Sequence, residues 1–172
     1  MMSTSAQLLA AIYPDREHAQ VILDMLERMH HANTVRLVDA ALVTKDEQGK
    51  LQIQETKELT TKKGARRGAV IMGSMAILFP PTIIASAIAG GAFGAIAGKL
   101  RDSGIKNKQL RELAERLEPG KAIVVALAED DSLARVQSSL GDHEGELVVA
   151  PIDAETLIEI NKAAVMKAGS GE

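Results

Sequence analysis

The side chains best suited to metal or acid–base chemistry in this chain are its histidines, His18, His30, His31 and His143. A bound metal needs ligands that converge on one point. His18 and His30 stand twelve residues apart on one expected helix, too far to share an ion, and His30 and His31 are neighbours that leave a helix in different directions. They read as solvated histidines. The glycines Gly90, Gly91, Gly94 and Gly98, followed by Lys99, invite comparison with a phosphate-binding loop. Phe93, however, stands where the first glycine of that pattern belongs, and Leu100 replaces the hydroxyl residue that would hold magnesium. The paired carboxylates Asp130-Asp131 and Asp142/Glu144 fall at expected helix and turn boundaries, where capping accounts for them. None neighbours a candidate nucleophile or base. With no cysteine there is no disulfide or thiolate chemistry, which fits a reducing compartment. The expectation is a protein without catalytic residues, cofactor, metal or identified small-molecule substrate, and not an enzyme.

Charge gives the other candidate chemistry. Lys62, Lys63, Arg66 and Arg67 form one basic cluster, and Lys99, Arg101, Lys106 and Lys108 form another. The net charge is −3 and aromatic residues make up 2 % of the chain, so neither a global field nor stacking platforms favour nucleic acid. What separates the two clusters is Gly68 to Gly98, a run of 31 residues without a charged side chain. Cations bracketing an apolar segment are placed to contact lipid headgroups, and each contributes on the order of 1 kcal/mol near an anionic leaflet. We therefore assign Lys62, Lys63, Arg66, Arg67, Lys99 and Arg101 to headgroup contact.

The run itself divides at Pro80-Pro81 into arms of 12 and 17 residues. At 1.5 Å per residue these reach roughly 18 and 26 Å, short of a hydrocarbon core about 30 Å thick. Two arms folded at the prolines, which lack amide donors, make a hairpin. A single tilted span is the alternative, but basic flanks at both ends favour both ends on the cytoplasmic side. Ser86, Gly90, Gly94 and Gly98 recur every fourth residue, with Gly91 beside them and Gly73 in the first arm. That spacing sets small residues on one helix face and permits close helix–helix approach. Self-association through that face is one reading; small residues filling a buried helix is the other.

The rest of the chain supplies elements to hold this segment. Leu8–Tyr13 is a buried strand closed by Pro14 and a helix cap at Asp15. Ala19, Ile22, Leu23, Leu26 and Met29 trace one helix face, and Val35–Thr44 is a second strand extended by a hairpin through Asp46–Gly49 to Leu51–Gln54. After the run, Asn107 caps a helix bearing Leu110, Leu113, Ala114 and Leu117, which stops at Pro119-Gly120. A second strand–helix–strand unit follows: Ala122–Ala128, a helix opened by Asp131, and Glu146–Ala150. A last helix capped by Asp153 carries Leu157, Ile160 and Ala164. The segments IYPDREHAQVILDML and ALAEDDSLARVQSSL repeat the same order of strand end, acidic cap and amphipathic helix. The expected fold is α+β, a ferredoxin-like sandwich of two β-α-β halves with an inserted apolar Gly/Ala-rich helical hairpin. Its parts are 7–57, 62–106, 107–152 and 153–172. No signal peptide is expected at the N-terminus.

Tyr13-Pro14-Asp15, Val38-Asp39-Ala40-Ala41-Leu42-Val43, the glycine-spaced hairpin and Asp102-Ser103-Gly104-Ile105 together resemble a bacterial domain-of-unknown-function family of predicted membrane proteins, some named general stress proteins. The likeness runs from about Leu8 to Pro151. It implies membrane association and no enzyme activity, and it brings no catalytic residues with it.

Three functions are compatible with these residues. The favoured one is a membrane-associated protein on the cytoplasmic face of the inner or plasma membrane, self-assembling through the glycine face and structural or stress-related in role. A second is a cytoplasmic homo-oligomeric shell or cage in which hairpins bury one another, motivated by a mean hydropathy of only +0.02. A third is a small pore or transporter component, weakened because Ser74, Thr82 and Ser86 are the only polar side chains available to line a path.

Overall fold

The structure, a computed structural model, describes residues 6–55, 108–141 and 146–152. In chain order these form β1 (Ala6–Tyr13), α1 (Arg16–His31), β2 (Leu37–Lys45), β3 (Leu51–Glu55), α2 (Lys108–Glu115), β4 (Ala122–Glu129), a 3-10 turn (Asp130–Ser132), α3 (Leu133–Gly141) and β5 (Glu146–Ile152). The expected last helix after Asp153 and the cap at Asn107 lie outside the described residues.

The strands make one five-stranded sheet in the order β3-β2-β4-β1-β5, antiparallel at every pairing. β1 and β2, joined through α1, therefore run parallel to each other but are not neighbours, because β4 lies between them. β4 and β5, joined through α3, are likewise separated by β1. Each strand–helix–strand unit leaves a gap two strand spacings wide, or roughly 10 Å, and the other unit fills it. Tyr13, Ala122, Thr44 and the β2–β3 hairpin share one end of the sheet, here the hairpin end. Ala6, Glu129, Leu37 and Ile152 share the other, the far end.

Alternating side chains sort the core into two faces. Leu9, Ala11, Tyr13, Ala40, Leu42, Val124 and Ala126 pack under Ala19, Ile22, Leu23 and Leu26 of α1 and Val136 and Leu140 of α3. On the opposite face Leu8, Ala10, Ala41, Val43, Ile123, Val125 and Leu127 are buried as well. There α2 lies against β1 and β5, burying Leu110, Leu113 and Ala114, and an Arg116–Glu146 ion pair ties its end to β5. Every residue from Ala122 to Ala128 is buried, which is why β4 reads as an unbroken apolar run rather than an alternating one.

Local chemistry sets the turns. Helix α1 ends with Asn33 at φ 56° while Asn33 N–H donates to the His30 carbonyl and Thr34 N–H to that of Met29. This pair of bonds closes a Schellman motif around a left-handed residue, a conformation asparagine tolerates. In the β2–β3 hairpin Asp46 Oδ1 accepts from Gln48 N–H at 2.9 Å and Lys50 N–H at 2.8 Å, and Gly49 takes φ 82°.

Two expectations need correcting. The helix expected to open at Asp131 starts at Leu133, after a 3-10 turn whose cap position, Glu129, makes no side-chain cap bond. The second strand begins at Leu37 rather than Val35, with a register shift between Leu37 and Asp39. Both follow from polar contacts at the far end, described below.

Among the described residues Tyr13 is the largest buried side chain, 1 % exposed. Its hydroxyl donates to the Leu140 carbonyl at 2.8 Å, joining β1 to the end of α3. Burial raises its pKa well above the usual tyrosine value, so the neutral donor is held. Tyr13→Phe leaves that carbonyl without its partner and is expected to lower the unfolding free energy by roughly 1–3 kcal/mol. A urea denaturation midpoint that drops at unchanged slope checks this.

Candidate functional site

The far end of the sheet holds the densest polar cluster among the described residues. Arg36, just before β2, is its hub. Its N–H donates to Ser132 Oγ at 2.6 Å, and its carbonyl accepts from Glu129 N–H at 3.1 Å. Ser132 Oγ in turn donates to Asp131 Oδ1 at 3.1 Å. The Arg36 guanidinium lies 3.6 Å from Glu129 and 3.8 Å from Asp131. Gln7 Nε2 on β1 donates to Asp130 Oδ1 at 3.1 Å, and Arg135 on α3 donates to the Thr34 carbonyl at 2.7 Å. Leu37 N–H points at His30 Nδ1, 3.3 Å away.

These contacts explain the two departures from expectation. Asp130 and Asp131 do not cap α3, because one engages β1 and the other engages Ser132 and Arg36. The amides of Arg36 and Leu37 are committed to Ser132 and His30, so the regular β2–β4 ladder starts late. Ser132, 3 % exposed, is a buried polar residue that holds the start of β2 against the end of β4. The Arg36 side chain is 71 % exposed, so its ion pairs contribute little, typically under about 1 kcal/mol. The cluster positions backbone and assembles no nucleophile with a base.

A second polar arrangement links α1 to β3. Arg16 donates to Gln54 Oε1 at 2.9 Å, Gln54 Nε2 to Gln20 Oε1 at 3.0 Å, and Gln20 Nε2 to Asp24 Oδ1 at 2.9 Å. At the start of α1, Asp15 caps as expected, accepting from His18 N–H at 2.8 Å while its other oxygen meets His18 Nδ1 at 2.7 Å. The His18 backbone donor, followed by its ring, holds the Asp15 carboxyl below the usual aspartate range.

His18 thus serves the α1 cap, and His30 and His31 lie with ring centroids 6.0 Å apart. Among the described residues no group of three His, Cys, Asp or Glu side chains is placed to hold a metal, and no helix is long and apolar enough to cross a membrane. The helix-packing residues Ser86, Gly90, Gly91, Gly94, Gly98 and Gly73, the turn at Pro80 and Pro81, and the cations Lys62, Lys63, Arg66, Arg67, Lys99 and Arg101 all lie outside the described residues, as does His143. Reading the sequence missed Gln7, Arg36, Ser132 and Arg135. Only the unusual serine directly ahead of an apolar helix face gave any signal.

Fold and site together define a mixed α/β protein whose antiparallel sheet is interrupted in sequence by a long apolar segment. The chain belongs to the family described as protein of unknown function (DUF1269), whose model matches residues 63–164. No curated protein and no solved structure matches it. The matched span takes in the apolar run, α2, β4, α3 and β5 but neither Tyr13-Pro14-Asp15 nor Val38–Val43, so those two segments lie outside the likeness.

The Asp15 carboxyl is depressed in the folded state, so its contribution is present above the ordinary aspartate pKa and is lost as pH falls through the lower folded value. Asp15→Ala is expected to melt at lower temperature than the native chain at pH 7, with the gap closing as pH drops below about 4. Thermal melts followed by far-UV circular dichroism at both pH values test this; a gap independent of pH would contradict it.

Proposed function

We propose that this is a non-enzymatic, membrane-associated protein that self-assembles through its apolar segment. The observation that carries the reading is the uncharged run Gly68–Gly98 bracketed by Lys62, Lys63, Arg66, Arg67, Lys99 and Arg101, all but Lys62 inside the span the family model matches. On this reading the run folds as a helical hairpin turning at Pro80-Pro81. Its glycine-spaced face, Ser86, Gly90, Gly91, Gly94 and Gly98 with Gly73 opposite, packs against a second copy. The flanking cations contact anionic headgroups on the cytoplasmic face of the membrane. The globular part is a ferredoxin-like sandwich, a reading supported by the strand order β5-β1-β4-β2 with α1 and α3 on one face. A structural or stress-related role rests on the family resemblance alone.

The competing soluble shell draws on the mean hydropathy of +0.02. One experiment separates them: fractionation and light scattering of the intact protein with and without detergent. The membrane reading predicts sedimentation with membranes and release by detergent, and it predicts that Gly94→Leu lowers the assembly size while leaving the thermal melt of the sheet unchanged. A protein that stays soluble without detergent, and behaves the same after deletion of 68–98, overturns it. A large monodisperse particle in plain buffer favours the shell.

A further inference from the structure

Both faces of the sheet are apolar, and the described helices account for the burial of only part of them. α1 and α3 pack on the face of Leu9, Ala11 and Leu42. On the opposite face α2 packs against β1 and β5. A helix with its side chains is about 10 Å across and strands lie roughly 4.8 Å apart, so one helix covers about two strands. β2 lies two strand positions from β1, and β3 lies three, beyond the width of α2. Val43 on β2 is nevertheless 0 % exposed, and Leu51 on the edge strand β3 is 3 % exposed. Val125 and Leu127 on β4 are fully buried as well. Ala41 pairs with Val125 and Val43 with Ile123, so these side chains make one continuous patch on that face. The burial is that of a single chain, so what covers the patch is another segment of the same chain.

We infer that the C-terminal segment 153–172 docks on this patch as a helix lying beside α2, across β4 and β2. The inference stands independently of the membrane reading above. β5 ends at Ile152, paired with Ala6 at the far end of the sheet, so the segment that follows starts at the rim of this face. From Asp153 to Ala168 the sequence has one apolar side, Leu157, Ile160, Ala164 and Ala168, with Glu155, Glu159 and Lys162 turned away from it. Those 16 residues reach about 24 Å at 1.5 Å each. The eight residues of β1 reach roughly 26 Å at about 3.3 Å each, so helix and sheet match in length. Packed helices lie roughly 8–10 Å apart, about two strand spacings, which sets a neighbour of α2 over β4 and β2. The run Gly68–Gly98 suits the patch less well. It has no charged side chain, so a helix formed from it has no polar side to turn toward water once laid on a sheet. A core closed by 153–172 leaves that run to the assembly proposed above.

The chain has no cysteine, so cysteine pairs introduced into the full protein report proximity cleanly. Val43→Cys and Val125→Cys are each combined with Leu157→Cys, Ile160→Cys or Ala164→Cys. Glu155→Cys and Glu159→Cys serve as outward-facing controls, and Ile84→Cys and Ile88→Cys probe the apolar run. Dilute native protein is oxidised with copper phenanthroline, and a disulfide forms where the Cα atoms come within about 7 Å. The expected result is an intramolecular cross-link from at least one of Leu157→Cys, Ile160→Cys and Ala164→Cys, at about fivefold or more the yield of the two controls. Cross-links from Ile84→Cys or Ile88→Cys instead assign the patch to the run and overturn the inference. Links between chains overturn it in favour of a second copy, and the absence of any link from positions 157, 160 and 164 overturns it too. A second variant guards against a cysteine pair that disturbs the core: Ile160→Asp is expected to raise the fluorescence of the apolar-surface dye ANS severalfold and to lower the melting temperature, with the far-UV signal of the sheet retained. Unchanged dye binding and an unchanged melt in that variant overturn the docking.

Discussion

The ladder between β1 and β4 is the interaction on which the rest of the molecule depends. It runs without a break from Ala6 opposite Glu129 to Tyr13 opposite Ala122. Neither strand has a sequence neighbour beside it, since β1 is flanked by β4 and β5 and β4 by β1 and β2. Without the ladder, β1 and β2 would face each other across a space one strand wide, and so would β4 and β5. The unpaired amides and carbonyls of that space would need water. The two strand–helix–strand units are thus complementary rather than merely adjacent. Their small side chains, Ala11, Ala40, Ala126 and Ala128 among them, let α1 and α3 approach closely on one face.

That interlock governs how an insertion of this size is borne. A chain that leaves after β3 must come back to supply β4, so both ends of 56–107 are held by the same sheet. It also gives the family match a structural meaning. Residues 63–164 contain β4 and β5 but not β1, the strand that lies between them. In this chain the matched span cannot complete its own sheet, and the segment from Ala6 to Glu55 completes it.

Much of this was legible in the sequence because the hydrophobic period is strong where tertiary packing reinforces it. Ala19, Ile22, Leu23 and Leu26 are all buried as the helical spacing predicts, and the unbroken apolar stretch from Ala122 to Ala128 identifies a strand covered on both faces. Asp15 was legible as a cap because capping is a local bond over three residues. What local patterns do not contain is partner choice across long separations. Asp131 has the composition of a helix cap, but Arg36 and Ser132, brought to it by the β2–β4 pairing, offered other bonds. Arg36 and Ser132 are 96 residues apart, and nothing in either neighbourhood announces the other. The residues of the candidate assembly face, from Gly73 to Gly98, are legible as a spacing, and spacing alone names a face rather than the surface it meets.

Native-state hydrogen exchange on the intact protein tests the interlock most directly. If β1 and β4 hold the two units together, the amides of Leu9 and Ala11 and those of Val124 and Ala126 open in one global step with a common free energy, the highest in the chain. Amides of β1 and β2 that exchange as a separate, weaker unit while those of β4 and β5 stay protected would show the halves to be independent and would contradict the account.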